Sequence, residues 1–313
     1  MSKNHPFRFG VELSGAASRQ EWIDKVRRVE DLGYSTVQLP DHLIDQFSSA
    51  VALMLAAEAC PTLRLGTCVF DNNFRHLAVF AKEIATLDVL SNGRVELGLG
   101  AGWQEVEYRQ AGIPFDSAGV RVGRYEEAVH ILKKLFADGP VTYSGRYYNL
   151  DGLESLPKPI QRPHPPFMLA GGSKRTLSIA GREADIVTIN PRVLPDGNNV
   201  DMQDATSAAT FQKIEWIREA AGDRFDEIEL SILVLEVVRT DRKDLSGPLQ
   251  ATGIGALVAG DQPLQGIFVL AGSVDQLCEQ VRANRERFGF SYISVFEKDM
   301  EAFAPIVERL AGK

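Results

Sequence analysis

Cysteine is scarce in this chain: Cys60, Cys68 and Cys278 are the only three among 313 residues. An odd set with no paired spacing argues against a disulfide framework and for a reducing, cytoplasmic setting. Histidine is scarce too, and His5, His42, His76, His130 and His164 show no metal-ligand spacing, so no metal site is expected. Long apolar runs are missing: the stretch around residues 50–60 falls well short of the ~20 residues a membrane helix needs. The opening MSKNHPFRFGVEL lacks the charged-then-apolar pattern of a secretory signal. No basic stripe stands out either, with 34 Lys and Arg against 42 Asp and Glu for a net charge of −8. Phosphate backbones need clustered cations, so nucleic acid is not an expected partner. Low-complexity tracts and internal repeats are likewise absent.

What the chain does contain is a rhythm. Residues 7–13, FRFGVEL, alternate apolar and polar and predict a strand. Ser18, with Glu21 three residues on, signals a helix over 19–32, in which Trp22, Ile23, Val26 and Val29 fall at helical spacing before Gly33 stops it. Strands over 35–39, 63–70 and 95–99 alternate with helices over 49–59 and 77–90. A long amphipathic helix over 120–136 leads to a hairpin over 141–150, turning about Ser144-Gly145, and to a proline-rich connector over 157–166. Further strands are predicted over 166–172, 185–189, 228–238 and 292–296, and helices over 174–182, 201–221, 273–288 and 300–310, with one more near 249–259. Strand–helix units at this density predict a parallel sheet closed as a (β/α)8 TIM barrel. The expectation is a single domain over 1–313, with an insertion at about 137–165 between strands four and five and a variable segment at about 239–268 after strand seven.

In such barrels ligands sit at the carboxyl ends of the strands. Those ends offer Glu12, Asp41-His42, Cys68 with Asp71-Asn72-Asn73, Trp103 with Glu105 and Glu107, Gly171-Gly172-Ser173, Asn190 and Glu297. His42 is the acid–base candidate, with Asp41 as the neighbouring carboxylate that could orient its ring. Glu12, Glu105 and Glu107 are open to three roles: proton donor, substrate contact, or carboxylate favoured at a helix N-terminus. Gly171-Gly172-Ser173, between a strand and a helix and followed by Lys174 and Arg175, has the make-up of a phosphate cradle or of a plain turn. Trp103 suits stacking on a flat ligand or walling the core. Glycines 98, 100 and 102 allow close approach of backbone or ligand. They are not a dinucleotide fingerprint: Trp103 stands at the sixth position of GLGAGW, and no strand-end acid follows at ~20 residues.

Several segments together carry a resemblance: PDH (40–42), LGTCVF (65–70), LDVLSNGRVELGLGAGW (87–103), EYRQAGIPF (107–115), SGRYYNL (144–150), PKPIQRPHPPFMLAGGS (157–173) and EADIVTIN (183–190). Along nearly its full length the chain resembles the luciferase-like flavin oxidoreductases, and most of all the branch that uses the deazaflavin coenzyme F420. The resemblance implies a (β/α)8 fold with a redox ring in the barrel mouth, and hydride transfer to or from a small organic substrate. Asp41 and His42 would flank the ring, Cys68-Val69 would form a cis peptide bond behind it, and Gly171, Gly172 and Ser173 would hold the cofactor phosphate. Trp103 stands where some relatives place a catalytic glutamate, with Glu105 two residues later. FMN is the alternative cofactor, in a monooxygenase fed by a separate reductase; a barrel that binds flavin without catalysis is a third possibility. The resemblance also implies a homodimer, and a flavin or F420 reductase as cofactor supplier.

Overall fold

The computed structural model describes residues 5–194, 199–241 and 267–313. Strands β1 (Arg8–Glu12), β2 (Thr36–Leu39), β3 (Arg64–Thr67), β4 (Phe70–Asp71), β5 (Val95–Gly100), β8 (Phe167–Gly171), β9 (Ile186–Ile189), β10 (Glu229–Val234) and β13 (Phe290–Phe296) form one parallel sheet. Strands β3 and β4 are two halves of a single stave, broken at a cis peptide bond between Cys68 and Val69. The sheet closes on itself: β1 pairs with both β2 and β13, and β3 and β4 both pair with β5. The result is a closed barrel of eight parallel staves, a (β/α)8 TIM barrel. Strands β6 (Val141–Ser144) and β7 (Asn149–Leu153) make the expected hairpin in the connection between the fourth and fifth staves.

Helices α1 (Arg19–Asp31), α2 (Ser49–Ala59), α3 (Leu77–Leu90), α4 (Glu105–Ala111), α5 (Ala118–Phe136), α6 (Lys174–Glu183) and α7 (Ser207–Ala221) lie between staves, and Val274–Phe288 and Met300–Leu310 complete the set among the described residues. The Ser18 side chain caps α1 by accepting from Glu21 N, while the Glu21 carboxylate reaches back to Ala17 N. Most of the apolar core lies between helices and staves, where Trp22, Phe9, Phe136, Phe167 and Phe303 are fully buried.

The barrel interior is different. Side chains alternate along β1, so Arg8, Gly10 and Glu12 share the inward face. A Cβ built on Gly10 would lie against Ser294, Tyr292 and Gln38, which marks that face as the interior. Gln38 donates to the Tyr292 hydroxyl at 3.0 Å, and the Arg8 guanidinium stacks 3.6 Å above the Tyr292 ring. Met168, Ile186 and Tyr292 supply a small apolar layer beneath Cys68.

Three elements depart from expectation. The predicted strand over 228–238 is two strands: β10 stays in the barrel, while β11 (Glu236–Arg239) leaves it to pair in parallel with β12 (Val269–Gly272). Both halves are apolar and alternating, so the pattern does not reveal a change of partner. The helix expected over 201–221 opens with a 3-10 turn, Met202–Ala205, and restarts at Ser207 because Thr206 accepts from Ala209 N as a new cap. Helix α4, over Glu105–Ala111, has no predicted range, although a helix N-terminus is one reading of Glu105 and Glu107; it ends on Gly112 in the left-handed conformation. The helix expected near 249–259 lies outside the described residues.

Candidate active site

The carboxyl ends of the staves surround a cavity of about 130 Å³, lined among others by Asp41, His42, Cys68, Val69, Asp71 and Trp103. Glu107, Tyr108 and Asn190 also line it. Residues from the second, third, fourth and sixth staves therefore meet at one rim.

His42 leaves β2 beside Pro40 and Asp41, yet its carboxylate partner is Glu107, from α4. His42 Nδ1 lies 2.8 Å from Glu107 Oε1, and the Leu43 backbone N–H donates to Glu107 Oε2 at 2.7 Å. Both carboxylate oxygens are thus engaged, and the side chain is almost wholly buried. A carboxylate can only accept, so Nδ1 carries a proton toward it, and Nε2 is the ring nitrogen left for a substrate. Trp103 stands edge-on to the imidazole, with ring centroids 6.0 Å apart.

Asp41 is committed elsewhere. Its oxygens accept from Arg75 at 2.5 and 2.7 Å, and Oδ2 also takes the Asp71 amide at 3.0 Å. The sequence neighbour does not orient the histidine; a residue 65 positions away does. Asp71 in turn accepts from the Tyr108 hydroxyl and from Asn73. Burial pushes the Asp71 carboxyl up, against the lowering effect of those donors.

Glu12 sits below the mouth on the inner face of β1. Burial pushes its carboxyl to about 8, and a hydrogen bond with Cys68 offsets this only in part. Its Oε2 is buried without a hydrogen-bond partner. At neutral pH Glu12 is therefore a protonated acid. Cys68 is driven well above the ordinary thiol value by burial and by Glu12, so it is no thiolate nucleophile. No cluster of three or more metal-binding side chains occurs among the described residues.

Gly171, Gly172 and Ser173 stand at the end of β8 on the same rim, and the Asn190 amide donates to Gly171 O at 2.9 Å. Ser173 and Thr176 form a reciprocal capping box at the start of α6. That box claims the amides of Ser173 and Thr176. Those of Lys174 and Arg175, in the first turn, have no intrahelical acceptor. Glu105 is exposed at the start of α4 and does not line the cavity. Glu297 pairs with Lys25 at 2.8 Å.

The glycine run serves backbone packing. A Cβ on Gly98 would lie 1.7 Å from Thr67 O, so glycine there lets β3 meet β5 and close the barrel. Gly102, at φ +76°, gives up its Cβ space to the Tyr108–Asp71 bond. Sequence reasoning missed Glu107 as the histidine's partner and Tyr108 as part of the rim. The signal for both is Gly112, a helix stop that implies α4 and places residues 107 and 108 on its inner face. Also unforeseen is Lys213, wholly buried on α7, whose Nζ lies 2.5 Å from Asp204 Oδ2 and donates to Asn190 O at 2.8 Å. It ties the segment after β9 to the helix behind it.

The F420-dependent glucose-6-phosphate dehydrogenase of Kineococcus radiotolerans is 31% identical over 238 residues, covering 72% of this chain and 68% of that protein. The FMNH(2)-dependent dimethylsulfone monooxygenase of Pseudomonas putida is 32% identical over 124 residues, 40% of this chain and 32% of the relative. The chain spans about half the length of some other curated relatives it matches, 50% and 55% in two of them. Among solved structures, the F420-dependent tetrahydromethanopterin reductase of Methanopyrus kandleri superimposes with a TM-score of 0.78 at 21% identity, covering 98% of this chain and 100% of that one. At that identity the likeness speaks for the fold. The profile of the family described as luciferase-like monooxygenase matches residues 2–251, and the chain belongs to that family.

Proposed function

We propose that this chain is an oxidoreductase that uses coenzyme F420 to transfer a hydride to or from a small organic substrate. One observation carries the reading: a carboxylate-held histidine lines a cavity together with Cys68, and behind Cys68 lies Glu12, a buried acid hydrogen-bonded to it. A histidine at the mouth with a protonated acid behind it, without a reactive thiolate, suits chemistry in which a proton accompanies a hydride. The F420-dependent relatives favour the deazaflavin over FMN.

The residues fit such a cofactor. The Glu12 Oε2 atom, buried behind Cys68, has no hydrogen-bond partner. Asp41, Cys68, Val69 and Trp103 would hold the ring. The free amides at the start of α6, with Gly171, Gly172 and Ser173, would hold its phosphate. When bound, the deazaflavin supplies the hydride-carrying carbon. The protein's part is to hold the substrate in contact distance and to manage the proton. His42 Nε2 takes a proton from an alcohol or returns one to a developing alkoxide, and Glu107 keeps the ring in the required tautomer. Glu12 holds a further proton behind Cys68. Asp41 keeps Arg75 in place and fixes the Asp71 amide, so it acts on the wall of the site.

Titration of the purified protein with oxidised F420 and with FMN, followed by fluorescence quenching, tests this. F420 should bind and FMN should not bind more tightly. Binding of FMN alone overturns the deazaflavin reading in favour of an FMNH2-dependent monooxygenase. Binding of neither leaves a barrel without redox function.

We further propose that a second copy of the chain covers the outer face of α2 and α3. Helix α2, SAVALMLAAEA, is apolar almost all round, and a groove of about 870 Å³ runs between it and α3. Val51 is 72% exposed there, with Val79 and Leu90 beside it. Exposed apolar surface of this kind marks an interaction face. Sedimentation should find a dimer, and Val51→Glu a monomer that still binds cofactor.

A further inference from the structure

We propose, resting on the oxidoreductase reading above, that Lys213 is a positioning residue for the glycine–serine corner. It fixes the Asn190 carbonyl against which Gly172 packs, and so sets how tightly the corner grips a cofactor phosphate.

The first observation is a buried cation with every proton spent. Lys213 lies on α7, wholly shielded from solvent. An ammonium has three protons to donate. Three acceptors surround this one: Asn190 O at 2.8 Å, Asp204 O at 3.3 Å and the Asp204 carboxylate at 2.5 Å. Burying a charge is costly unless it is paired and hydrogen-bonded, and leucine or methionine would serve helix packing without that cost. What the ammonium adds is a clamp between two points of backbone. Asn190 is the first residue after β9, and Asp204 lies in the 3-10 turn that precedes α7. Asp204 Oδ2 also accepts from the Arg192 amide at 2.8 Å. Both feet of the excursion between residues 190 and 204 are thereby pinned to one helix.

The second observation is that one of those feet presses on the corner. The Asn190 amide donates to Gly171 O at 2.9 Å. A Cβ built on Gly172 would lie 2.7 Å from Asn190 O and 2.7 Å from Pro191 O. Gly172 is not among the glycines of positive φ, so it is the closeness of those carbonyls, and not the backbone conformation, that calls for glycine. The carbonyl that Lys213 holds is thus the surface on which Gly172 rests. Ser173 and the first turn of α6 follow directly, so the aim of their amides depends on that contact. Charge-assisted hydrogen bonds to a phosphate need that aim, because they weaken steeply with misalignment.

Two cofactor pairs read the corner: F420 against its phosphate-free ribityl core, and FMN against riboflavin, which differ only in the phosphate. Fluorescence quenching gives each affinity, and in the wild type the phosphorylated member should bind more tightly. Lys213→Met, of similar length but without charge or donors, should cut that preference about tenfold or more, the scale of one hydrogen bond to a charged group. The phosphate-free members should bind as before. Asp204→Asn separates placement from charge. If Lys213 acted only through its field, removing the neighbouring anion would strengthen phosphate binding; loosening the clamp should weaken it. Being the milder change, it also decides alone should Lys213→Met fail to fold. Arg224→Met removes a comparable hold on the carbonyls of Gly181 and Ala184 at the far end of α6, and should leave the preference intact whatever it costs in melting temperature. An undiminished preference in Lys213→Met, a gain in Asp204→Asn, or an equal loss in Arg224→Met overturns the proposal. Hydrogen exchange at the Asn190 amide reads the clamp without a cofactor, and should quicken in Lys213→Met but not in Arg224→Met. If no flavin binds while that exchange responds, the oxidoreductase reading falls and the clamp stands; unaltered exchange removes the clamp itself.

Discussion

Strand β1 carries Arg8 at one end of the barrel and Glu12 at the other, and the two ends treat a buried carboxyl in opposite ways. At the amino end, Glu96 is 2% exposed and lies between Arg8, at 2.5 Å, and Arg64. Glu229 holds the far side of Arg8. Burial works to raise the Glu96 carboxyl, but Arg8 and then Arg64 outweigh it and hold it below the ordinary range. At the carboxyl end, Glu12 is nearly as buried, and no arginine pairs with it among the described residues; burial prevails and the acid is neutral up to about pH 8. Equal burial thus gives an ion at one end and a proton reservoir at the other. The difference lies in the partners alone. A barrel floor closed by a matched ion cluster provides a rigid base, and that allows the mouth to keep an unmatched acid.

Substituting each glutamate by glutamine separates the two ends. The largest loss of stability is expected for Glu96→Gln, which leaves Arg8 and Arg64 confronting each other without their shared anion. Removing one member of a buried ion cluster costs roughly 3–5 kcal/mol. Urea unfolding should show that loss, with F420 affinity per folded molecule unchanged. A cost under ~1 kcal/mol would mean that Glu229 alone neutralises the floor.

Glu12→Gln should do the reverse. Glutamine resembles the neutral acid already present, so the fold at pH 6 should be no less stable, while turnover falls on the order of 10²–10⁴-fold, the usual worth of a positioned proton donor. Normal turnover in this variant would remove Glu12 from the chemistry and leave His42 as the proton carrier.

The staves and their order were legible in the sequence because alternation and helix stops are local signals. Residues 7–13 show it: FRFGVEL announced both the strand and the face that Glu12 occupies. The rim positions were legible for the same reason, since a strand end in a parallel barrel can only point at the mouth. What was not legible is who bonds to whom there. Asp41 adjoins His42 in sequence but turns to Arg75, while Glu107 arrives from another stave. Partner choice at a rim is decided by loop geometry across 65 residues of chain, and no periodicity encodes it. The same holds for β10 and β11, whose split depends on whether the next neighbour belongs to the barrel or to the side sheet.

A pH series sharpens the Glu12 side of the comparison. Below pH 4.5, the ordinary glutamate value, folded and unfolded chains both hold the Glu12 proton and the residue has no effect on stability. Above it the unfolded chain releases the proton first, so stability falls by about 1.4 kcal/mol per pH unit until the native carboxyl ionises near 8. Asp299, raised by burial to about 7, contributes in an overlapping window. Subtracting the wild-type curve from that of Glu12→Gln cancels Asp299. The difference should grow in favour of the variant from pH 4.5 and level off near pH 8. A flat difference would show that Glu12 is charged in the folded protein.

Glu107→Gln should fall between the other two glutamates in its effect on the fold. Glu107 is as buried as Glu96 but faces His42 Nδ1 and the Leu43 amide where Glu96 faces two arginines. Glutamine keeps one acceptor oxygen and turns its NH2 toward the other donor, and one mispaired buried hydrogen bond costs about 1–3 kcal/mol. If the amide oxygen stays with Leu43, His42 must accept at Nδ1, and its proton moves to Nε2, which then cannot act as a base. Alcohol oxidation and carbonyl reduction pass through one transition state, so both should slow together, by about 10²–10⁴-fold, the usual worth of a positioned acid–base group. Unchanged rates in both directions would mean that Glu107 merely holds the loop after β2 in place.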